Sequence, residues 1–126
     1  MAFNWEDYLD LAKDLAKRAN QSNKTEALLR SAISRSYCAA FLLSRNYLRD
    51  KLKDNNIPSG SDVHSYIRDA FANNGNPILN SIARNLNQLR TQHNLADYND
   101  TYFDLRIKAP LAVLLAEAII NDLAKL

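Results

Sequence analysis

The sequence predicts an all-α domain, an antiparallel up-and-down bundle of four to five helices. Apolar residues recur at intervals of three and four rather than two, and only two glycines, Gly60 and Gly75, interrupt the pattern. Both lie in polar stretches that also hold a proline, Asn55 to Ser61 and Asn73 to Pro77, which are the expected loops. With 126 residues and 47% hydrophobic content the chain is long enough to bury one core without disulfides or metal, so residues 1–126 read as a single domain.

The first helix is expected from about Trp5 to Asn20, with Trp5, Tyr8, Leu9, Ala12, Leu15, Ala16 and Ala19 on one stripe. The second is the long one, Lys24 to about Asp54, with Asn23 as N-cap and Glu26 in the capping-box position. Its stripe holds Leu29, Ile33, Tyr37, Ala40, Phe41, Ser44, Tyr47, Leu48 and Leu52, and at 1.5 Å per residue its 30 or so residues span ~45 Å. A short third helix follows Ser61 and carries Val63, Ile67, Ala70 and Phe71. Pro77 suits the first turn of a fourth, whose apolar face is Ile78, Leu79, Ile82, Leu86 and Leu89. The last helix is apolar over much of its circumference between Ala109 and Ile120, as a helix central to the core or to an oligomer interface would be. Pro110 either opens it or kinks a longer helix that starts near Thr101.

Composition narrows the function. Sixteen Lys and Arg against fourteen Asp and Glu leave +2, so any contact with nucleic acid has to be local. Cys38 is alone, which excludes an intrachain disulfide, and one Cys with His64 and His93 is too few for a structural zinc site. No metal or cofactor is expected. Phosphate loops, dinucleotide glycines and nucleophile elbows need more glycine than two. Acidic residues early in the chain and the lack of a long apolar run predict a cytoplasmic protein without a membrane partner.

The chemistry concentrates on the fourth helix. Arg90, His93, Asn94 and Asp97 fall on one side of it, continuing the apolar stripe of Leu79, Ile82 and Leu86. His93 and Asp97 are an i,i+4 pair, so the carboxylate is expected to hold the imidazole and raise its pKa, with Arg90 free to meet a phosphate. Such a trio suits metal-independent RNA cleavage. A hydrogen-bond network closing the bundle end would use the same residues, and spacing alone does not choose. Arg35 and Tyr37 would line a groove with Arg90, although Tyr37 also fits a core tyrosine with a bonded hydroxyl. His64, near a helix start, fits a capping or surface imidazole. Tyr98, Tyr102 and Phe103 either stack on a base or cover the bundle end. Arg45, Arg49, Lys51 and Lys53 read as a solvated face, and Cys38 as an inert thiol.

Three stretches resemble a known family. Arg30 with Ser34-Arg35-Ser36-Tyr37-Cys38-Ala39-Ala40-Phe41 is similar to a Ser-Arg-Ala-Tyr-Tyr-Ala-x-Phe run, with Cys38 in place of the second Tyr. His64-Ser65 followed by Phe71 resembles a His-Ser-Gly and Phe pattern, with Tyr66 in place of Gly. Leu89-Arg90-x-x-His93-x-x-Ala96-Asp97-Tyr98 resembles a Leu-Arg-x-x-Arg-x-x-Ala-Asp-Tyr signature. The family they resemble is the HEPN domain (higher eukaryotes and prokaryotes nucleotide-binding), in particular its small stand-alone prokaryotic branch.

The resemblance implies a helical bundle, a homodimer, and a nucleotidyltransferase-like partner in a toxin–antitoxin pair. Active members of that family are metal-independent ribonucleases with Arg, four to six residues, then His. Here His93 follows Arg90 by three positions and Arg84 by nine. The resemblance therefore implies a module that binds nucleotide, RNA or a partner protein, with Arg35, Tyr37, His64, Asn94 and Tyr98 as ligand-binding residues. The alternatives are a ribonuclease toxin using Arg90, His93 and Asp97, and a purely structural interaction bundle.

Overall fold

The computed structural model describes residues 2–21 and 23–126. Among these residues five α-helices follow in order, α1 Glu6–Arg18, α2 Thr25–Asp50, α3 Val63–Ala72, α4 Pro77–Tyr98 and α5 Leu105–Ala124, with a 3-10 turn, Ala19–Gln21, after α1. No strand occurs among the described residues. Helices adjacent in the chain pack on one another across links of a few residues at α1/α2, α3/α4 and α4/α5, which is the up-and-down bundle the periodicity predicts.

The helix at the centre is α2 rather than the last one, since it packs against all four others. Its apolar stripe buries Leu29, Ile33, Tyr37, Ala40 and Leu48, while a second face of small residues, Ala32, Ser36 and Ala39, is buried as well. Phe71, Ile67, Leu79, Ile82, Leu86, Leu89 and Ile119 close the core around it. The stripe of α5 is only partly used. Leu105, Ala109, Ala112, Val113, Ala116 and Ile119 are buried, but Ile107, Leu111 and Leu114 form an exposed apolar row on its outer side.

The helix ends correct the expected boundaries in two places. Lys24, not Asn23, stands at the N-cap of α2, because the Thr25 hydroxyl donates to the Ala19 carbonyl at 2.6 Å and ties the link back to α1. At the other end α2 stops at Asp50 instead of Asp54. The chain folds back there through a left-handed Lys53 (φ 58°), with the Asp54 amide donating to the Leu48 carbonyl, and the Tyr66 hydroxyl donates to the Asp54 carboxylate at 2.8 Å. α4 starts as expected, with Pro77 in the first turn and the Asn76 side chain accepting from the Ile78 amide. Pro110 lies inside α5, so of the two readings the longer helix is right, beginning four residues after Thr101.

Arg30 fixes the far end of α4. Its guanidinium donates to the carbonyls of Ala96, Asn99 and Asp100 at 2.9, 2.6 and 3.1 Å, and Glu26 lies 3.6 Å from its Nε. The last carbonyls of a helix have no partner within it, and a cation there also meets the negative end of the helix dipole. Replacing it by alanine is expected to cost about 2 kcal/mol, the range of charged hydrogen bonds. Urea denaturation of Arg30→Ala measures this, and Arg30→Lys should recover only part of it, since one ammonium cannot span the same carbonyls.

Candidate functional site

Three helices meet around Tyr37. On α2, Arg30, Ser34 and Tyr37 follow one another along the side that faces α4, and α4 answers with Arg90, His93 and Asp97 at i, i+3 and i+7. α3 contributes His64 from its first turn. The His93 ring lies flat on Tyr37, with centroids 4.6 Å apart and planes 16° from parallel, and Phe41 stacks at 5.4 Å on the same tyrosine. The Tyr37 hydroxyl is 2.9 Å from His64 Nδ1. Tyr37 is thus the buried, hydroxyl-bonded tyrosine that its stripe position predicts, and it also joins two imidazoles carried by different helices.

A second network holds His93 from the other side. The Ser34 hydroxyl donates to Asp97 Oδ1, and His93 Nδ1 lies 3.3 Å from Asp97 Oδ2 and 3.4 Å from Ser34 Oγ. Asp97, which can only accept when ionised, takes the Ser34 proton on one oxygen and faces His93 Nδ1–H with the other. Nε2 is then left as the unprotonated nitrogen.

The electrostatics reverse one expectation. Burial pushes the His93 pKa below the usual imidazole value; Asp97 opposes this, but Arg90 and Arg35 add to the lowering. The carboxylate therefore orients a neutral ring at pH 7 rather than charging it. His64 was expected at the surface or as a cap, yet it is only 4% exposed and its Nε2 is buried without a hydrogen-bond partner. Burial first, then Arg90 and Arg68, bring its pKa down to about 4. Burial raises the Tyr37 phenol against the pull of Arg90. It raises the Cys38 thiol too, against Arg35, in keeping with an inert thiol.

Two arginines act on this cluster. Arg90 bears electrostatically on Tyr37, His64 and His93 alike. Arg35 lies over the Tyr8 ring of α1 at 4.8 Å and influences His93 and Cys38. Among the described residues neither makes an ion pair with a carboxylate within 4 Å. Of the other sequence-predicted residues, Asn94 and Tyr98 are exposed, just outside the Tyr37 cluster. Ser34, Phe41 and Arg30 belong to the assembly as well, and their signal in the sequence is the Arg30 to Phe41 run on the Tyr37 side of α2.

The HEPN domain family matches residues 5–126, essentially the whole chain. This chain belongs to the HEPN family. No curated protein and no solved structure matches it. Membership agrees with the five-helix bundle and, at the family level, with a nucleotide- or RNA-related module. HEPN domains commonly dimerise and bind RNA. No helix among the described residues is long and apolar enough to cross a membrane, and no group of three or more His, Cys, Asp or Glu stands ready to hold a metal ion.

His64 makes this HEPN site sensitive to acid, with a definite sign. Its folded pKa of about 4 lies below the unfolded value near 6.5, so between those values the unfolded chain binds more protons. The His64 contribution is complete above pH 6.5 and lost as pH falls toward 4, by at most about 3 kcal/mol. Urea midpoints measured across that range should fall more steeply for the natural chain than for His64→Gln.

Proposed function

We propose that this HEPN domain binds single-stranded RNA, with Arg90 and Arg35 meeting the phosphate beside the Tyr37 cluster. The observation that carries this reading is a pair of guanidinium groups without a carboxylate partner within 4 Å among the described residues, beside the stacked rings of Phe41, Tyr37 and His93, of which Tyr37 is buried. Arginine presents a planar fork of donors that matches a phosphate in two-point fashion, and a half-buried position strengthens each bond. Tyr98 at the end of α4 and Phe103 in the link to α5, both largely exposed, offer rings on which bases stack without sequence preference.

Cleavage is the second reading, favoured by the state of His93. A neutral imidazole, oriented through Nδ1 by Asp97, presents Nε2 as a base. Nε2 would take the proton of a ribose 2′-hydroxyl as that oxygen attacks the adjacent phosphorus. The P–O bond to the 5′-oxygen of the next nucleotide breaks, solvent protonates the leaving oxygen, and Arg90 stabilises the charge on the phosphorane. The spacing from Arg90 to His93 departs from the family's catalytic pattern, so binding comes first.

The exposed row Ile107, Leu111 and Leu114 supports assembly as a homodimer through α5. A nucleotidyltransferase-like companion in a toxin–antitoxin pair is what the family resemblance implies.

Fluorescence anisotropy with a labelled single-stranded hexanucleotide tests the binding. Arg90→Ala should weaken it at least tenfold, as loss of a charged hydrogen bond predicts. Absence of binding by the folded natural chain overturns the proposal. The same RNA incubated in EDTA reports on cleavage, which should vanish in His93→Ala if His93 is the base. Sedimentation of a Leu111→Lys, Leu114→Lys double variant should show a monomer where the natural chain shows a dimer.

A further inference from the structure

At the end of α2 the chain turns back, and the link to α3 closes a recess of about 440 Å³ lined by Arg45, Arg49, Asp54, Asn55, Ile57 and Pro58. The basic residues Arg45, Arg49, Lys51 and Lys53 read as a solvated face in the sequence, but the fold gathers two of them around this space. Arg45 and Arg49 stand one turn apart on α2, at i and i+4, so neighbouring guanidinium groups border the same recess. The opposite wall is anchored. The Asp54 amide donates to the Leu48 carbonyl at 3.1 Å, and Ile57 packs against the core.

The charges of the recess are not balanced from within. Arg45 has no carboxylate within 4 Å among the described residues, and its Nε and Nη2 both donate to Asn46 Oδ1, at 3.3 and 3.0 Å. Arg49 gives the same edge to Asp50, with Nε and Nη2 at 2.7 and 3.0 Å from its oxygens. Each guanidinium keeps Nη1 without a hydrogen-bond partner among the described residues. The carboxylate that lines the recess, Asp54, is already engaged: Oδ1 accepts from the Asn56 amide at 2.7 Å and Oδ2 from the Tyr66 hydroxyl at 2.8 Å. Four cations and two carboxylates between Arg45 and Asp54 leave this segment two positive charges in surplus. Burial and, after it, the Arg49 charge work against the Arg45 cation, so an anion between the two relieves a repulsion built into the helix.

We infer that this recess binds a small phosphate monoester, with Arg45 and Arg49 on the phosphate and Ile57 and Pro58 against its organic body. A monoester carries about two negative charges at pH 7 and three acceptor oxygens, which match the local surplus and let two guanidinium groups donate at once. The volume lies in the range of small-molecule pockets, so it leaves room beyond the phosphate. Ile57 and Pro58, both half-buried, give that remainder an apolar wall. The recess shares no residue with the Tyr37 cluster, and the inference stands apart from the RNA-binding reading.

Isothermal titration calorimetry at constant ionic strength tests this with uridine 5′-monophosphate, uridine and inorganic phosphate, on the natural chain, Arg45→Ala, Arg45→Lys, Arg49→Ala and Arg90→Ala. Arg45 and Arg49 hydrogen-bond only to the residue that follows each, so circular dichroism and urea midpoints of their variants should match the natural chain. The monophosphate is expected to bind at a single site, at least tenfold more weakly in Arg45→Ala and in Arg49→Ala, as loss of a charged hydrogen bond predicts. Arg45→Lys should recover part of the affinity, because it restores the charge but not the planar fork. Inorganic phosphate should bind more weakly than the monophosphate, and uridine should give no heat of binding. A natural chain that does not bind the monophosphate, or alanine variants that bind it as the natural chain does, overturns the site. Affinity lost in Arg90→Ala and kept in Arg45→Ala assigns the monophosphate to the Tyr37 cluster and overturns it equally. Inorganic phosphate bound as tightly as the monophosphate overturns the ester assignment, and uridine bound as tightly overturns the role of the phosphate.

Discussion

The burial of α2 along two faces at once is the constraint on which the rest of this bundle depends. An ordinary surface helix buries one stripe and shows the other side to water. Here Leu29, Ile33, Tyr37 and Leu48 pack on one side while Ala32, Ser36 and Ala39 admit a neighbouring helix closely on another. The small residues let backbones approach. Because α2 touches every other helix, the side chains that leave it at Arg30, Ser34, Arg35 and Tyr37 reach α4, α3 and α1 without any of them coming from a loop. The cleft is consequently built on rigid elements, with Ser36 and Ser44 as buried polar reminders of how crowded the axis is.

Tyr37 turns that crowding into electrostatics. One face of its ring supports His93 and its hydroxyl meets His64, so both imidazoles are drawn out of water by the same residue. Desolvation disfavours the charged form of each, and the arginines at the rim push the same way. Two imidazoles that stay neutral at pH 7 therefore lie beside the arginines. The Ser34 and Asp97 pair contributes orientation, since a carboxylate shared between a hydroxyl and a ring nitrogen fixes which nitrogen faces outward.

Much of this is legible in the sequence, and the limits are physical. Periods of three and four located all five helices, and the Gly and Pro stretches located the links on either side of α3. The i, i+3, i+7 spacing of Arg90, His93 and Asp97 placed them correctly on one side of α4. The centrality of α2 was missed because Ala32, Ser36 and Ala39 carry little hydrophobic signal; the apolar α5 drew attention instead, yet it leaves Leu111 and Leu114 exposed. The sign of the His93 shift was missed because spacing reveals the Asp97 neighbour but not the loss of water. His64 finds Tyr37 across 27 residues and Ser34 finds Asp97 across 63, distances over which a local pattern is silent. Family membership, by contrast, was readable from three short stretches and holds over nearly the whole chain.

The Arg30 clamp has a consequence for recognition. By gripping the carbonyls of Ala96, Asn99 and Asp100, one side chain of α2 ties down the end of α4, which carries the exposed Tyr98 ring, and the start of the link that carries Phe103. The backbone ordering that a flexible loop undergoes when it meets a ligand is here completed during folding. Under the proposed RNA-binding function these rings are stacking platforms placed by the fold, and the entropy lost on association would fall chiefly on the RNA.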